Sequence, residues 1–365
     1  MQELERKILL NPGPGTTSTA VKEALVVNDI CPREEEFGTL MNDITDGLLT
    51  IGNAESEYEA CLFASSGTGA VEAILTSALD SSKKVLIVTN GAYGIRMKQI
   101  CESYKLPYET IHEFGDYPDV QAIEKKLKEG SFSHVAMIHH ETSTGMMNPL
   151  EAISSLCTQL GIKLIVDAMS SYGAYPIDLS KTKVDFLAAS SNKCIQGMAG
   201  LSFVIFHKDQ IGELEKNSGN FYFDLYKQWK YLKEKNQLRF TPPVQVCYAF
   251  KKAINETMDE TVQKRWERYQ QNWKVLYDGL KELGFEFFLP DEQQSRILLA
   301  VKRNGILPKG FDHFHDHLYE RNITIYPGVI PESDTFRMAV IGDLSKKELE
   351  HVISEIRSYL KLYRK

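Results

Sequence analysis

No CxxC pair occurs in the 365 residues, and the six cysteines (Cys31, Cys61, Cys101, Cys157, Cys194 and Cys247) are scattered. Such spacing offers no disulfide framework, and reduced, structural thiols are the simplest expectation for a large intracellular chain. No apolar run approaches the roughly 20 residues of a membrane-spanning helix. The opening MQELERKILLNPGP places Glu and Arg before a short apolar stretch, which is not the pattern of a secretory signal, so a cytoplasmic protein is expected. Positive charge is also in deficit, with 42 Lys and Arg against 49 Asp and Glu. A net charge of -7 argues against a phosphate-backbone ligand such as DNA. Neither a Walker loop nor a GxGxxG is present, which lowers the nucleotide reading.

What is present reads as a large soluble chain. With 43% hydrophobic and 25% charged residues, it has the length for a large core and a smaller second domain. Between residues 60 and 205 short apolar runs alternate with helical patterns. Leu62–Phe63, Lys84–Val88, Ser133–Ile138, Lys163–Val166, Val184–Ala189 and Leu201–Phe206 predict strands covered on both faces. The recurrence predicts an α/β fold, a mainly parallel sheet with helices on both faces. A long amphipathic segment, about Val244 to Leu283, follows the Arg239–Pro243 break. Its charge, as in DETVQKRWERYQQ, predicts a solvated helix face. From Gly284 short strands interleave with helices near 311–320 and 345–363, a smaller α+β unit. The expected division is 15–245 as a large cofactor-binding domain, with 1–14 and 246–365 as a small domain and its linking helix.

In open α/β sheets ligands bind beyond the carboxyl ends of strands. Asp167 and Lys193 follow two such ends. A carboxylate there can hold a ring nitrogen protonated, and a lysine amine can condense with an aldehyde, which are pyridoxal phosphate's two requirements of a protein. By spacing alone both residues are as readily strand-end surface charges. Ser65-Ser66-Gly67-Thr68-Gly69 opens a helix with bare amides and hydroxyls, a cradle for a phosphate ester. Tyr93, between glycines after a strand end, can lie flat on a planar cofactor or simply pack at a turn. Arg337 follows the Tyr326-Pro327-Gly328 turn on a strand, and a fixed guanidinium suits a carboxylate or phosphonate. Asn11–Gly15 is a rigid turn that either covers a site or merely leads into the fold. No metal site is expected. His139 and His140 lack a third ligand at suitable spacing, and His313, His315 and His317 read as a surface helix without a carboxylate or thiolate shell.

Nine segments, in order and spacing, resemble the class V, fold-type I pyridoxal-phosphate aminotransferases: LLNPGPGTTS (9–18), DICPREEEF (29–37), SSGTGAVEA (65–73), NGAYGIRM (90–97), HHETSTGMMNPL (139–150), DAMSSYG (167–173), SSNKCIQG (190–197), RFTPP (239–243) and IYPG with DTFRMAVIGDL (325–344). DICPRE and NKCIQG resemble the subgroup that acts on 2-aminoethylphosphonate and pyruvate. The resemblance implies a pyridoxal 5′-phosphate enzyme with Lys193 as the covalent anchor and proton shuttle and Asp167 on the ring nitrogen. It implies Tyr93 against the ring, Thr142 and Asn192 at the 3′-oxygen side, and Ser66, Gly67 and Thr68 on the phosphate. It further implies Thr241 reaching the phosphate of a neighbouring subunit in a homodimer, and Arg337 on the acidic end of each substrate. The chain departs from the family's pattern at Gly69, at Gly197–Gly200 and near Ala339, all positions that touch packing beside the site. The alternative within the class is an alanine–glyoxylate or serine–pyruvate transaminase. A non-catalytic pyridoxal-phosphate-binding protein of the same fold is a further alternative, although every catalytic position is retained. A cysteine desulfurase needs a mobile cysteine in the second half, where the last one is Cys247.

Overall fold

The computed structural model describes residues 5–217, 219–328, 330 and 333–364. Residues 1–4 and 365 of the expected small domain lie outside the described residues. Seven strands form the central sheet, in the order Tyr58–Phe63, Ser202–His207, Phe186–Ser190, Lys163–Asp167, His134–Ile138, Val85–Val88, Tyr108–Ile111. Only Ser202–His207 runs antiparallel to its neighbours; the other four pairings are parallel. Strands such as VLIV and HVAMI are buried along their whole length because helices cover both faces. The expected α/β fold with a mainly parallel sheet is therefore the observed one.

The parallel pairings bring one consequence for function. Phe63, Val88, Ile138, Asp167 and Ser190 all end on the same edge of the sheet. A helix starts directly at Gly67 and another at Ala92, so Tyr93 sits in the first turn of the Ala92–Tyr104 helix and not in a free turn. The Gly67 start lies earlier than the apolar pattern from Val71 suggested, because Gly67, Thr68 and Gly69, residues of weak helix propensity, are drawn into the helix by packing on the sheet.

The charged segment after Pro243 is two helices, Val244–Glu260 and Val262–Glu282, not one. Thr261 breaks it with φ +67° and caps the second helix by accepting the Lys264 N–H at 3.3 Å. Its face is only partly solvated. Arg265 is buried, pairs with Glu260 at 2.7 Å and donates to the Cys194 carbonyl at 2.9 Å. Arg268 pairs with the same carboxylate at 2.6 Å and donates to the Gly342 carbonyl at 3.0 Å. Charge alone did not distinguish a bolt between elements from a solvated face.

Residues 286–339 contribute a separate three-stranded sheet, Glu286–Phe287, Leu298–Lys302 and Thr335–Ala339, with its own apolar cluster under the Lys346–Tyr363 helix. The N-terminal Ile8–Leu9 pairs with Ile323–Thr324 of this region. The helix at its end is started by a capping box between Ser345 and Glu348. His313, His315 and His317 lie on the Gly310–Tyr319 helix, where His313 and His317 pack on Tyr359 and Tyr363, and His315 stacks on Tyr319.

Candidate active site

Eight of the ten residues singled out in the sequence line one cavity of roughly 240 Å³ at the strand-end edge: Ser66, Gly67, Thr68, Tyr93, Thr142, Asp167, Asn192 and Lys193. Ser66 precedes the Gly67–Ala78 helix, and its hydroxyl caps no amide of that helix. The first amides and the hydroxyls of Ser66 and Thr68 thus stand at a helix N-terminus, where an anion is favoured by the aligned peptide dipoles. Arg96, one turn beyond Tyr93, donates to the Thr68 hydroxyl at 3.4 Å and lies over the Tyr93 ring at 4.8 Å.

Asp167 ends its strand with the carboxylate turned back to accept the Met169 N–H at 2.9 Å. Burial pushes its pKa up to about 7, and the nearby Glu141 carboxylate adds to the rise; the Met169 amide, Lys193 and Arg96 pull the other way. A carboxyl so placed is short of a cation. Lys193, in the turn after the Phe186–Ser190 strand, donates to the Pro12 carbonyl at 2.9 Å. Its pKa is lowered, chiefly by burial, and the Arg337 and Arg96 charges lower it further while Cys194 and Asp167 oppose. More of the amine is therefore neutral and able to react as a nucleophile than for an exposed lysine. The Asn11–Gly15 turn thus packs against the Lys193 side chain.

Arg337 does not line this cavity but reaches its rim. It donates to the Thr142 carbonyl at 3.1 Å and lies over Tyr326 at 4.8 Å. Its Nε is buried without a hydrogen-bond partner among the described residues. A Cβ at Gly328 would run into that Nε, so only glycine lets the turn pass so close to the guanidinium. Thr241 is exposed on the loop after Arg239 and is not brought to the cavity of its own chain.

Several participants escaped the sequence reading. Pro12 was not tied to a lysine, Arg96 was passed over, Glu141 was seen only as part of HHETSTG, and His140 was weighed only as a metal ligand. Spacing held a signal for one of them, since Arg96 lies at i+3 from Tyr93 on a helix. His140 lines the cavity with Nδ1 at 2.8 Å from the Ser170 carbonyl, and burial pushes its pKa down to about 4, so it is neutral. Cys194 is buried, and burial raises its thiol to about 12, which fits an inert position.

A strand-end lysine, a buried aspartate and an open helix N-terminus on this sheet define a class. The family profile for class-V aminotransferases matches residues 20–329, and the chain belongs to that family. At 38% identity over 357 residues, covering 96% of this chain and 97% of the other, it is similar to the 2-aminoethylphosphonate–pyruvate transaminases of Salmonella typhimurium and Salmonella schwarzengrund. Among solved structures it is similar to ureidoglycine–glyoxylate aminotransferase from Bacillus subtilis (TM-score 0.91, 20% identity, covering 100% of this chain and 95% of that one). Alanine–glyoxylate aminotransferase from Nostoc is also similar (TM-score 0.89, 25% identity, 100% and 96% covered). These share the fold.

Proposed function

We propose that the chain is a pyridoxal 5′-phosphate-dependent transaminase that moves the amino group of 2-aminoethylphosphonate to pyruvate, yielding phosphonoacetaldehyde and L-alanine in phosphonate degradation. The carrying observation is a lysine of lowered pKa sharing a cavity with a buried aspartate whose pKa is raised to about 7. The relatives at 38% identity supply the substrate pair by their name.

The residues present fit the cofactor. The Asp167 carboxyl lacks the cation that a protonated ring nitrogen would provide, and the Ser66 hydroxyl leaves the amides at the Gly67 helix start open to a phosphate. When bound, pyridoxal phosphate supplies an aldehyde that takes up the amine and a protonated ring that stores the electron pair released at the substrate carbon. Asp167 keeps the ring nitrogen protonated, and Tyr93 lies against the ring. Ser66, Gly67 and Thr68 hold the phosphate, while Thr142 and Asn192 hold the 3′-oxygen side. Lys193 would take the proton from the amine-bearing carbon and pass it to the carbon that carried the cofactor's aldehyde, with the reverse transfer in the second half of the cycle. Arg337 receives the phosphonate in one half-reaction and the carboxylate of pyruvate in the other, since both anions offer paired oxygens to a guanidinium.

In this reading Thr241 of one subunit reaches the phosphate of its partner's cofactor in a homodimer. Residues 15–245 form the cofactor-binding domain, and 1–14 with 246–365 form the smaller one. A cytoplasmic location belongs to the same proposal; among the described residues no helix is long and apolar enough to cross a membrane.

A donor screen tests the proposal. With pyruvate as acceptor, 2-aminoethylphosphonate should give the highest kcat/KM among itself, taurine, β-alanine, L-alanine and L-serine. Preference for L-alanine or L-serine with glyoxylate would instead identify the alternative transaminase activity.

A further inference from the structure

Glu141 is completely buried, yet it does not line the cavity. Its carboxylate has four donors. Oε2 accepts the Tyr93 N–H at 3.1 Å and the Gly94 N–H at 3.4 Å, while Oε1 accepts the Ser143 N–H at 3.1 Å and the Ser143 hydroxyl at 2.6 Å. The Ser143 oxygen in turn accepts the Ala92 N–H at 3.0 Å. The three leading amides of the Ala92–Tyr104 helix are thereby satisfied by one carboxylate and one hydroxyl from another segment. Negative charge at a helix N-terminus is favoured by the helix dipole; burial holds the Glu141 carboxyl above its ordinary pKa, and the bonds from Ser143, Tyr93 and Gly94 oppose that rise. A Cβ at Gly91 would collide with the Glu141 side chain, so the helix start approaches the carboxylate as closely as a backbone without side chain allows.

The same residue also holds the turn on its other side. The Glu141 carbonyl accepts the Gly145 N–H at 2.9 Å and the Thr144 N–H at 3.2 Å, closing the turn that carries Thr142. The Thr142 carbonyl is the one that holds Arg337. Both groups that Glu141 fixes, Tyr93 and Thr142, line the cavity.

We propose that Glu141 is a positioning residue, which locks the helix bearing Tyr93 to the turn bearing Thr142 and so sets the cofactor-facing ring and the substrate-side arginine in one register. This rests on the transaminase reading of the cavity. Two variants of the purified holoenzyme test it. In Glu141→Gln the shape is kept, but an amide nitrogen must now face an N–H donor at one end of the side chain. Ser143→Ala removes one arm only. The readouts are the visible circular dichroism per bound cofactor and the rate of cofactor loss on dilution.

Glu141→Gln should at least halve the ellipticity and speed cofactor loss roughly tenfold or more, the effect of one strong hydrogen bond left unmade. Ser143→Ala should move both readouts in the same direction, about threefold in the rate of loss. Wild-type ellipticity and retention in both, with only a lower Tm, would make Glu141 a core support and overturn the inference. If Glu141→Gln does not fold, Ser143→Ala decides, and wild-type values there overturn it too. A visible band missing from the unaltered protein would refute the cofactor reading itself, and this inference would fall with it.

Discussion

In the proposed assignment the cofactor side of the cavity is made by neighbouring strand ends of one sheet, whereas the substrate side would borrow Arg337 from a separate three-stranded sheet. One hydrogen bond to the Thr142 carbonyl, between residues 195 apart in sequence, ties that arginine back. On the first side each functional group follows its own strand by a few residues, so local geometry places it. On the second side placement depends on how the region after Gly284 packs against the central sheet. Changes that leave the Glu141 link intact should therefore spare the other side, and that separation can be broken experimentally.

The largest effect is expected from Lys193→Ala, which should abolish turnover and the visible absorbance of the covalently held cofactor. Retention of both colour and activity would remove Lys193 from the centre of the account. Asp167→Asn comes next. Loss of a charge-assisted hydrogen bond costs about 1.5–3 kcal/mol, so turnover should fall roughly ten- to hundredfold.

The same variant carries a pH test whose sign follows from the raised pKa. Asp167 titrates near 7 when folded and near 4 when unfolded, so the folded chain binds the extra proton between those values. In cofactor-free protein this group thus lowers stability as pH rises from about 4 to about 7, and the penalty is complete above 7. Asp167→Asn should flatten that slope in melting curves recorded across the window. Identical slopes in the two proteins would contradict a carboxyl starved of a cation.

Gly328→Ala addresses the substrate side alone. The added Cβ must displace the Arg337 guanidinium, so KM for the amine donor and for pyruvate should rise together, several-fold, with an unchanged cofactor spectrum. A changed spectrum would show that the two sides are not separable. The last variant is Thr241→Ala: the proposed hydrogen bond to the anionic phosphate of the partner's cofactor would be worth about 1.5 kcal/mol, a roughly tenfold faster loss of cofactor. Unaltered retention would take Thr241 out of the composite site.

The contrast between the two sides also separates what could be read in the amino-acid order from what could not. Strand, small-residue turn and helix at Leu62–Ala78 form a local pattern, and so does Asp167 after KLIV; both are present in the expected order, although the strand begins at Tyr58 and the helix already at Gly67. The buried pairing of Arg265 and Arg268 with Glu260 was not readable, because a charged helix face looks the same whether it meets water or another element. Nor was Pro12 over Lys193, a contact across 181 residues with no local signature. Glu141 was visible as a letter in HHETSTG, but its function is a set of bonds to a helix start nearly fifty residues earlier. Long-range contacts of this kind come from packing, not from period or composition.

The most direct test of one arginine serving both substrates is Arg337→Lys, followed by single-turnover rates measured separately for each half-reaction. Lysine keeps the charge and loses the paired donors. The account predicts that both the 2-aminoethylphosphonate half and the pyruvate half slow, each by the roughly ten- to hundredfold expected for a lost charge-assisted hydrogen bond. Normal rates in both halves with a lowered Tm would place Arg337 in a structural contact and contradict the shared anion site.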